Sequence, residues 1–260
     1  MLYFSRTKKE YLNLITDQSK HHIPVHIETS TSKAHHLDWL IICLKAHQYD
    51  TAQHWFSQLI TPNTKAVVIR NGLRLKEDLL PFTSKENMLE CIIDCPTEHL
   101  ENDYYKTIKS PELIIPKSTL ATEFKLLFNT SEIGIHQVQD FKTKSWEKLC
   151  ESATLGGILC LHNDTARIFK SEAIQTHYKR LMAETIEVAI ADGATIASSF
   201  LEETLTKILH YPETKGSSML TDLRHGKPLE LQAKNGIISK LGTLYNIETP
   251  LNDYIVNKLS

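Results

Sequence analysis

The chain has 260 residues, of which 41% are hydrophobic and 23% are charged, and its formal net charge is −2. This composition predicts a soluble globular protein and excludes the disordered and fibrous classes. The balance of 29 basic against 31 acidic residues gives no electrostatic reason to expect nucleic acid or an anionic membrane as the main partner.

The sequence shows no signal for export, membrane insertion or metal binding. Apolar runs stay well short of the roughly 20 residues that a membrane helix needs, and charges follow a very short apolar start at the N-terminus. The five cysteines are an odd number in a large chain, which favours reduced thiols. Cys91 and Cys95 are four residues apart, but no second close pair completes a zinc site. We therefore expect a cytoplasmic protein without a metal site.

Strand and helix signals alternate in the first half of the chain. Apolar residues recur at helical spacing between His47 and Ile60. Short apolar runs predict strands at Leu2–Phe4, Ile23–Ile27, Leu37–Leu44, Ala66–Ile69, Met88–Cys95, Leu113–Ile115 and Ile133–Val138. Near-continuous apolar runs are typical of strands that are buried on both faces. The alternation predicts an α/β domain with a mostly parallel sheet.

From about Lys142 the periodicity is almost purely helical. Apolar stripes predict helices at Ser171–Asp192 and Leu229–Leu244, and Thr249-Pro250 is a typical start for a last helix. We therefore predict two domains, an α/β domain over residues 1–141 and an all-helical domain over residues 142–260.

Two groups that could bind a ligand or take part in chemistry follow predicted strands. Lys45 comes after Leu37–Leu44, and Asn71-Gly72 comes after Ala66–Ile69. Ligands of open α/β sheets bind beyond the carboxyl ends of the strands, and glycine allows a close backbone approach. Asn-Gly is also a common turn sequence, and taken alone the pair favours a turn.

Three residues of the helical half are ordinary when taken singly. Lys148 is typical of a solvated helix face, Ser218 could belong to a helix N-cap, and Glu230 could be an exposed helical carboxylate. Their meaning comes from the order and spacing of longer runs.

Those runs, in order, resemble the ketopantoate reductase family, which reduces 2-dehydropantoate with NADPH in pantothenate biosynthesis. The matching runs are DWLIICLKAHQ (38–48), VVIRNGL (67–73), KSWEKL (144–149), SSMLTDLRHGKPLELQAKNG (217–236) and LGTLYNIETPLNDYIVNKL (241–259). The resemblance implies a Rossmann-like, NADP-binding domain that is incomplete at its start, followed by the family's helical C-terminal domain.

The resemblance also implies roles at the matching positions. Lys148 corresponds to the general acid that protonates the alkoxide, and Glu230 to the carboxylate that orients the hydroxyl and the lysine. Asn71 and Ser218 correspond to donors for the substrate carboxylate, and Ser152 takes the place of an asparagine that lines the substrate pocket.

Three residues match cofactor contacts of the family. Lys45 and Asn71 are expected to touch NADP, with Asn71 near the nicotinamide. Arg6 follows the strand Leu2–Phe4, where the family's arginine meets the 2′-phosphate. The resemblance therefore implies NADP as the cofactor.

The chain departs from the family at its start and in the substrate pocket. The family begins with a strand and a G-x-G-x-x-G loop, whereas the first glycine here is Gly72. Either the recorded start is too late, or the gene has lost its 5′ end, or the protein is a divergent paralogue that no longer binds nucleotide in this way. Pocket asparagines of the family are replaced by Ser152, Gly156 and Ala166, so the 2-oxo acid need not be ketopantoate.

The expected function is therefore an NADP-dependent oxidoreductase that reduces 2-dehydropantoate or a related 2-oxo acid. The alternatives are a truncated, non-catalytic paralogue that binds a small molecule or a partner protein, and an unstable remnant. We expect a small-molecule 2-oxo acid, and neither nucleic acid nor a membrane, as the partner, and a homodimer stays open.

Overall fold

The computed structural model describes residues 1–16, 19–31, 36–100, 103–131 and 133–260. The chain divides into two compact units. The first contains Met1–Leu44, Gln48–Arg70 and Leu75–Gln139, and the second contains Asp140–Ser260 together with two short segments, Lys45–His47 and Asn71–Arg74. The residues that directly follow two predicted strands thus belong to the helical unit.

The first unit is built mainly from strands. In chain order they are β1 (Tyr3–Phe4), β2 (Tyr11–Thr16), β3 (Ser19–Pro24), β4 (Ile27–Glu28), β5 (Trp39–Ile42), β6 (Lys65–Ile69), β7 (Met88–Asp94), β8 (Thr97–His99), β9 (Tyr104–Thr107), β10 (Glu112–Pro116) and β11 (Gly134–Val138). Its helices are α1 (Tyr49–Leu59) and α2 (Thr119–Leu126).

The main sheet has five strands in the order β11-β10-β7-β6-β5. Strands β5, β6 and β7 are parallel, β10 runs antiparallel to β7, and β11 is parallel to β10. Ala66 and Val68 of β6 pack in one cluster with Phe56 of α1, while Val67 packs on the other face with Phe124 of α2. Because both faces are covered, β6 reads as a continuous apolar run, and the α/β prediction is confirmed.

The prediction of one strand at Ile23–Ile27 is wrong. Strand β3 ends at Pro24, and a separate strand β4 begins at Ile27 and pairs in parallel with β1. Strand β3 instead pairs with β2 in a second sheet, of order β3-β2-β9-β8. All six residues of β3 are exposed. This strand therefore lacks the alternation of apolar and polar residues on which strand prediction depends.

The second unit is helical. Its helices are α3 (Phe141–His162), α4 (Glu172–Ala191), α5 (Phe200–Leu209), α6 (Ser218–Arg224), α7 (Ile237–Tyr245) and α8 (Pro250–Leu259). Helix α3 begins at the N-cap Asp140, whose carboxylate accepts from the Thr143 amide at 2.9 Å, and it contributes Trp146 and Leu149 to the core. Gly157 lets Ile255 of α8 approach, since a Cβ there would lie 2.8 Å from the Ile255 side chain.

The predicted helix Leu229–Leu244 is also corrected. Helix α7 begins only at Ile237, and a π-helical turn, Gln232–Gly236, precedes it. Such turns are rare and frequently occur at functional sites.

No helix among the described residues is long and apolar enough to cross a membrane. Across the same ranges, no three His, Cys, Asp or Glu side chains are grouped so that they could hold a metal ion.

Candidate active site

Glu230 joins the two short segments that follow strands β5 and β6. Its side chain is buried, and its Oε2 accepts a hydrogen bond from the Asn71 amide at 3.4 Å. Its Oε1 accepts from the backbone amide of Ala46 at 3.4 Å. Three residues singled out in the sequence, Lys45, Asn71 and Glu230, are therefore brought to one place in the second unit.

Lys45 makes an ion pair that the sequence did not predict. Its Nζ lies 2.5 Å from a carboxylate oxygen of Asp222 in α6. The lysine side chain is 40% exposed and the aspartate side chain only 9%, so the pair lies at the edge of the buried region. Asp222 thus fixes the end of the segment that also reaches Glu230.

The turn that carries Asn71 is held by close backbone packing. Gly72 has φ +108, and a Cβ at this position would lie 2.9 Å from the carbonyl oxygen of Ala233 in the π-helical turn. Glycine is required here because an L side chain would be strained and would also collide with backbone. The Asn-Gly pair is a turn, as its sequence favours, and it also presents the Asn71 amide to Glu230.

Asp192 anchors the same turn from its other end. Burial by itself would raise the pKa of the Asp192 carboxyl. Hydrogen bonds from Tyr245 at 2.6 Å and Trp146 at 2.9 Å, together with nearby cations, outweigh burial and lower this pKa below its ordinary value. One of these cations is Arg74, 3.6 Å from the carboxylate. Arg74 therefore ties the turn to an anionic point in the helical core.

Lys148 and Glu230 both act on a third charged residue, the buried Lys234. Lys148 is half-buried on α3, and Lys234 lies in the π-helical turn. The pKa of Lys234 is lowered mainly by burial, is raised by the charge of Glu230 and is lowered further by the charge of Lys148. The lysine and the carboxylate suggested by the sequence therefore both lie close enough to Lys234 to affect its pKa.

The two serines lie on neighbouring helices. Ser152 follows Lys148 by about one turn of α3 and donates to the Leu149 carbonyl at 3.4 Å. Ser218 is the exposed first residue of α6, behind the N-cap Ser217, whose hydroxyl accepts from the Leu220 amide at 3.1 Å. The start of α6 packs on α3 at Gly156, where a Cβ would lie 3.6 Å from Met219.

Arg6 belongs to the first unit. It is exposed and stands two residues after β1, in a bend of the chain. A guanidinium in this position is available to an anionic group from solution.

Sequence reasoning missed Asp222 and Lys234. Both lie inside the run 217–236 that carried the resemblance. The signal for Lys234 was a lysine at a core position of an apolar stripe, since Leu231 and Ile238 lie three residues before it and four residues after it and are buried. Lysine is almost never fully buried unless it is paired, so its burial at such a position is informative.

Comparison with known proteins identifies the family of this chain. The family model described as "Ketopantoate reductase PanE/ApbA" matches residues 3–115, and that described as "Ketopantoate reductase PanE/ApbA C terminal" matches residues 140–260. A 2-dehydropantoate 2-reductase of Mycobacterium tuberculosis is 27% identical over 92% of this chain and 81% of its own length. Another, of Caulobacter vibrioides, is 26% identical over 98% of this chain and 88% of its own length.

Solved structures share the fold. A dimeric ketopantoate reductase from Staphylococcus aureus has a TM-score of 0.88 and 23% identity, over 98% of this chain and 87% of that one. A D-mandelate dehydrogenase, solved with NADH and anilino(oxo)acetate, has a TM-score of 0.81 and 19% identity, over 95% of this chain and 83% of that one. The two family models together cover most of the sequence on both sides of Gln139. The chain therefore belongs to the ketopantoate reductase family of NAD(P)-dependent oxidoreductases.

Proposed function

We propose that this protein reduces 2-dehydropantoate, or a closely related 2-oxo acid, to the 2-hydroxy acid with NADPH, a step of pantothenate biosynthesis. The observation that carries the proposal is the buried Glu230 carboxylate, which accepts from Asn71 and from the Ala46 amide and shares the neighbourhood of Lys234 with Lys148. A carboxylate, an amide and an ammonium in one place suit the reduction of a carbonyl group.

Lys148 is the proposed general acid. Reduction of the keto carbon leaves negative charge on the former carbonyl oxygen, and a positioned proton donor must meet that charge. The lysine is half-buried on a rigid helix, so its ammonium can donate a proton without the reorganisation that water would need.

Glu230 and Asn71 are the proposed orienting pair. The carboxylate is buried and held by two donors, so its oxygens are fixed in direction. In the proposed complex Glu230 accepts from the new hydroxyl of the product, and Asn71 and Ser218 donate to the substrate carboxylate. Ser152, one turn after Lys148, lines the same part of the site.

Each unit, considered by itself, carries groups that suit one part of a nicotinamide dinucleotide. The exposed Arg6 guanidinium suits a 2′-phosphate, which only NADPH carries, and Lys45 and Asn71 suit its ribose and carboxamide groups. Gly72 is the first glycine of the sequence, so the described residues before it offer no glycine-rich turn for the pyrophosphate. When bound, the cofactor supplies the hydride that adds to the keto carbon.

Fluorescence titration of NADPH and NADH tests the cofactor assignment. We expect micromolar binding of NADPH, and we expect Arg6→Ala to weaken NADPH at least tenfold while leaving NADH unchanged. Lys8→Ala, which removes another exposed cation two residues away, is the matched control. Equal loss for both nucleotides would contradict the role of Arg6.

The same titration, together with thermal melting of the protein, separates the alternative functions. Cooperative melting without any nucleotide binding would favour a non-catalytic protein that binds a small molecule or a partner, and absence of cooperative melting would indicate an unstable remnant. Light scattering of the purified chain tests whether it forms a homodimer.

A further inference from the structure

Lys234 is a buried cation for which the proposed mechanism has no use. Its side chain is 2% exposed, and it lies within the π-helical turn Gln232–Gly236. Within the described ranges, no acceptor lies at hydrogen-bond distance from its ammonium and no carboxylate lies at ion-pair distance. Burying most of a lysine side chain without a partner for its ammonium is unfavourable, because part of its hydration is lost without replacement.

The residues on either side of Lys234 place it beside the site. The Ala233 carbonyl packs on Gly72, in the turn that carries Asn71. The Asn235 amide donates to Asn252 at 2.9 Å and to the carbonyl of Ala153 at 3.4 Å, on the helix that carries Lys148. The contacts of Ala233 and Asn235 therefore fix the backbone position of Lys234 between them.

The charges around Lys234 favour an additional anion. Glu230, Asp222, Cys160 and Lys148 are all close enough to shift its pKa. The Asp222 carboxylate already pairs with Lys45, and Glu230 already accepts from two donors. Both neighbouring carboxylates are thus engaged by groups other than the Lys234 ammonium.

We propose that Lys234 is a substrate-binding residue whose ammonium pairs with the carboxylate of the 2-oxo acid. The inference rests on the proposed function, because it is the substrate of that reaction that brings the anion. It makes the site selective for a charged acid over a neutral carbonyl compound of the same shape. The pairing also fixes which side of the substrate faces Lys148, since the carboxylate and keto groups are adjacent.

Binding without turnover tests this directly. Calorimetry with 2-dehydropantoate and with its lactone, which has the same carbon skeleton but no carboxylate, is carried out on the wild type, Lys234→Met and Lys240→Met, each with NADP⁺ present and absent. Lys240 is an exposed lysine of α7 and is the matched control. We expect Lys234→Met to weaken the acid at least tenfold, as for loss of a charge-assisted hydrogen bond, and to leave the lactone unchanged.

Thermal unfolding distinguishes a ligand-binding lysine from a structural one. Replacing the buried ammonium by the apolar Met side chain should keep or raise Tm, whereas a lysine needed for folding would lower it. If Lys234→Met does not melt cooperatively, Lys234→Gln carries the same expectations for the acid and the lactone. Equal weakening of acid and lactone, or unchanged affinity for the acid, would overturn the inference.

The outcomes also separate the inference from the proposed function. A wild type that binds the acid through Lys234 but does not reduce it retains the inference and refutes the function. If the wild type reduces the acid and Lys234→Met has the same KM as the wild type, the function is retained and the inference is refuted. A wild type that binds no 2-oxo acid refutes both.

Discussion

Lys148 shows how one side chain can be tested on a rigid element. It lies on α3, a helix capped by Asp140 and packed through Trp146 and Leu149, so its loss removes a functional group without removing core. We expect Lys148→Ala to lower kcat by roughly 10²–10⁴, the range for loss of a general acid. Folding should change little, since alanine is a good helix former.

Lys144 provides the control on the same helix. It is 46% exposed and pairs with Glu147 at 2.7 Å on the helix surface, and exposed pairs of this kind contribute little. Steady-state kinetics should show Lys144→Ala near wild type. Equal turnover of Lys148→Ala and wild type would remove the catalytic argument for Lys148.

At the scale of elements, the turn Asn71–Arg74 depends on its glycine. Gly72→Ala adds a methyl group 2.9 Å from the Ala233 carbonyl at φ +108. We expect it to lower the free energy of unfolding by about 2–3 kcal/mol, from backbone strain and steric overlap together. It should also raise KM, because the Asn71 amide moves with the turn.

Gly226 separates strain from overlap. It also has positive φ, +61, but a Cβ there meets nothing within 4 Å. Gly226→Ala should therefore cost only about 1–2 kcal/mol, the strain of a left-handed residue, and leave KM unchanged. Chemical denaturation and kinetics measure both variants, and equal costs would show that the packing of Gly72 on the π-helical turn has no role.

The first turn of helix α8 is stabilised by Glu184, an acidic residue of α4. Glu184 accepts from the backbone amides of Leu251 at 3.0 Å and Asn252 at 2.9 Å, and also from the Asn252 side chain at 2.8 Å. These are N-terminal helix donors that lack partners within the helix. Glu184→Ala should lower the free energy of unfolding by about 2 kcal/mol, because Asn252 is fully buried and its side-chain amide loses the shorter of its two hydrogen bonds.

Glu187 is the control for this cap. It lies one turn further along α4 and is exposed, so Glu187→Ala should stay within about 0.5 kcal/mol of wild type. Urea denaturation of the two variants gives the comparison. A matching loss in both would mean that general charge effects, and not the cap, explain the result.

At the scale of the whole molecule, the sequence predicted those elements whose pattern of buried residues is regular, such as a strand covered on both faces. The run Ala66–Ile69 is apolar on both faces because helices cover both sides of the sheet, and it was found within one residue. Strand β3 was missed in its observed form because all its residues are exposed. The π-helical turn was read as helix because its apolar stripe continues into α7.

The candidate active site was also predictable from sequence only in part. Asn71 and Glu230 could be selected only through the order of motifs in a family, since each has an ordinary interpretation when taken alone. Their hydrogen bond joins residues 159 positions apart, and no local pattern encodes such a contact. The partner of Lys45 and the burial of Lys234 likewise depend on tertiary packing, so they emerge only from the structure.

Transfer of a hydride label tests the central claim most directly. The chain is incubated with 2-dehydropantoate and NADPH that carries deuterium at the transferring position, and NADPH absorbance and product mass are followed together. We expect one deuterium at C2 of the 2-hydroxy acid for each NADPH consumed, and a rate at least about a hundredfold lower in Lys148→Ala. Saturable binding of the acid with no NADPH consumed and no labelled product would contradict it.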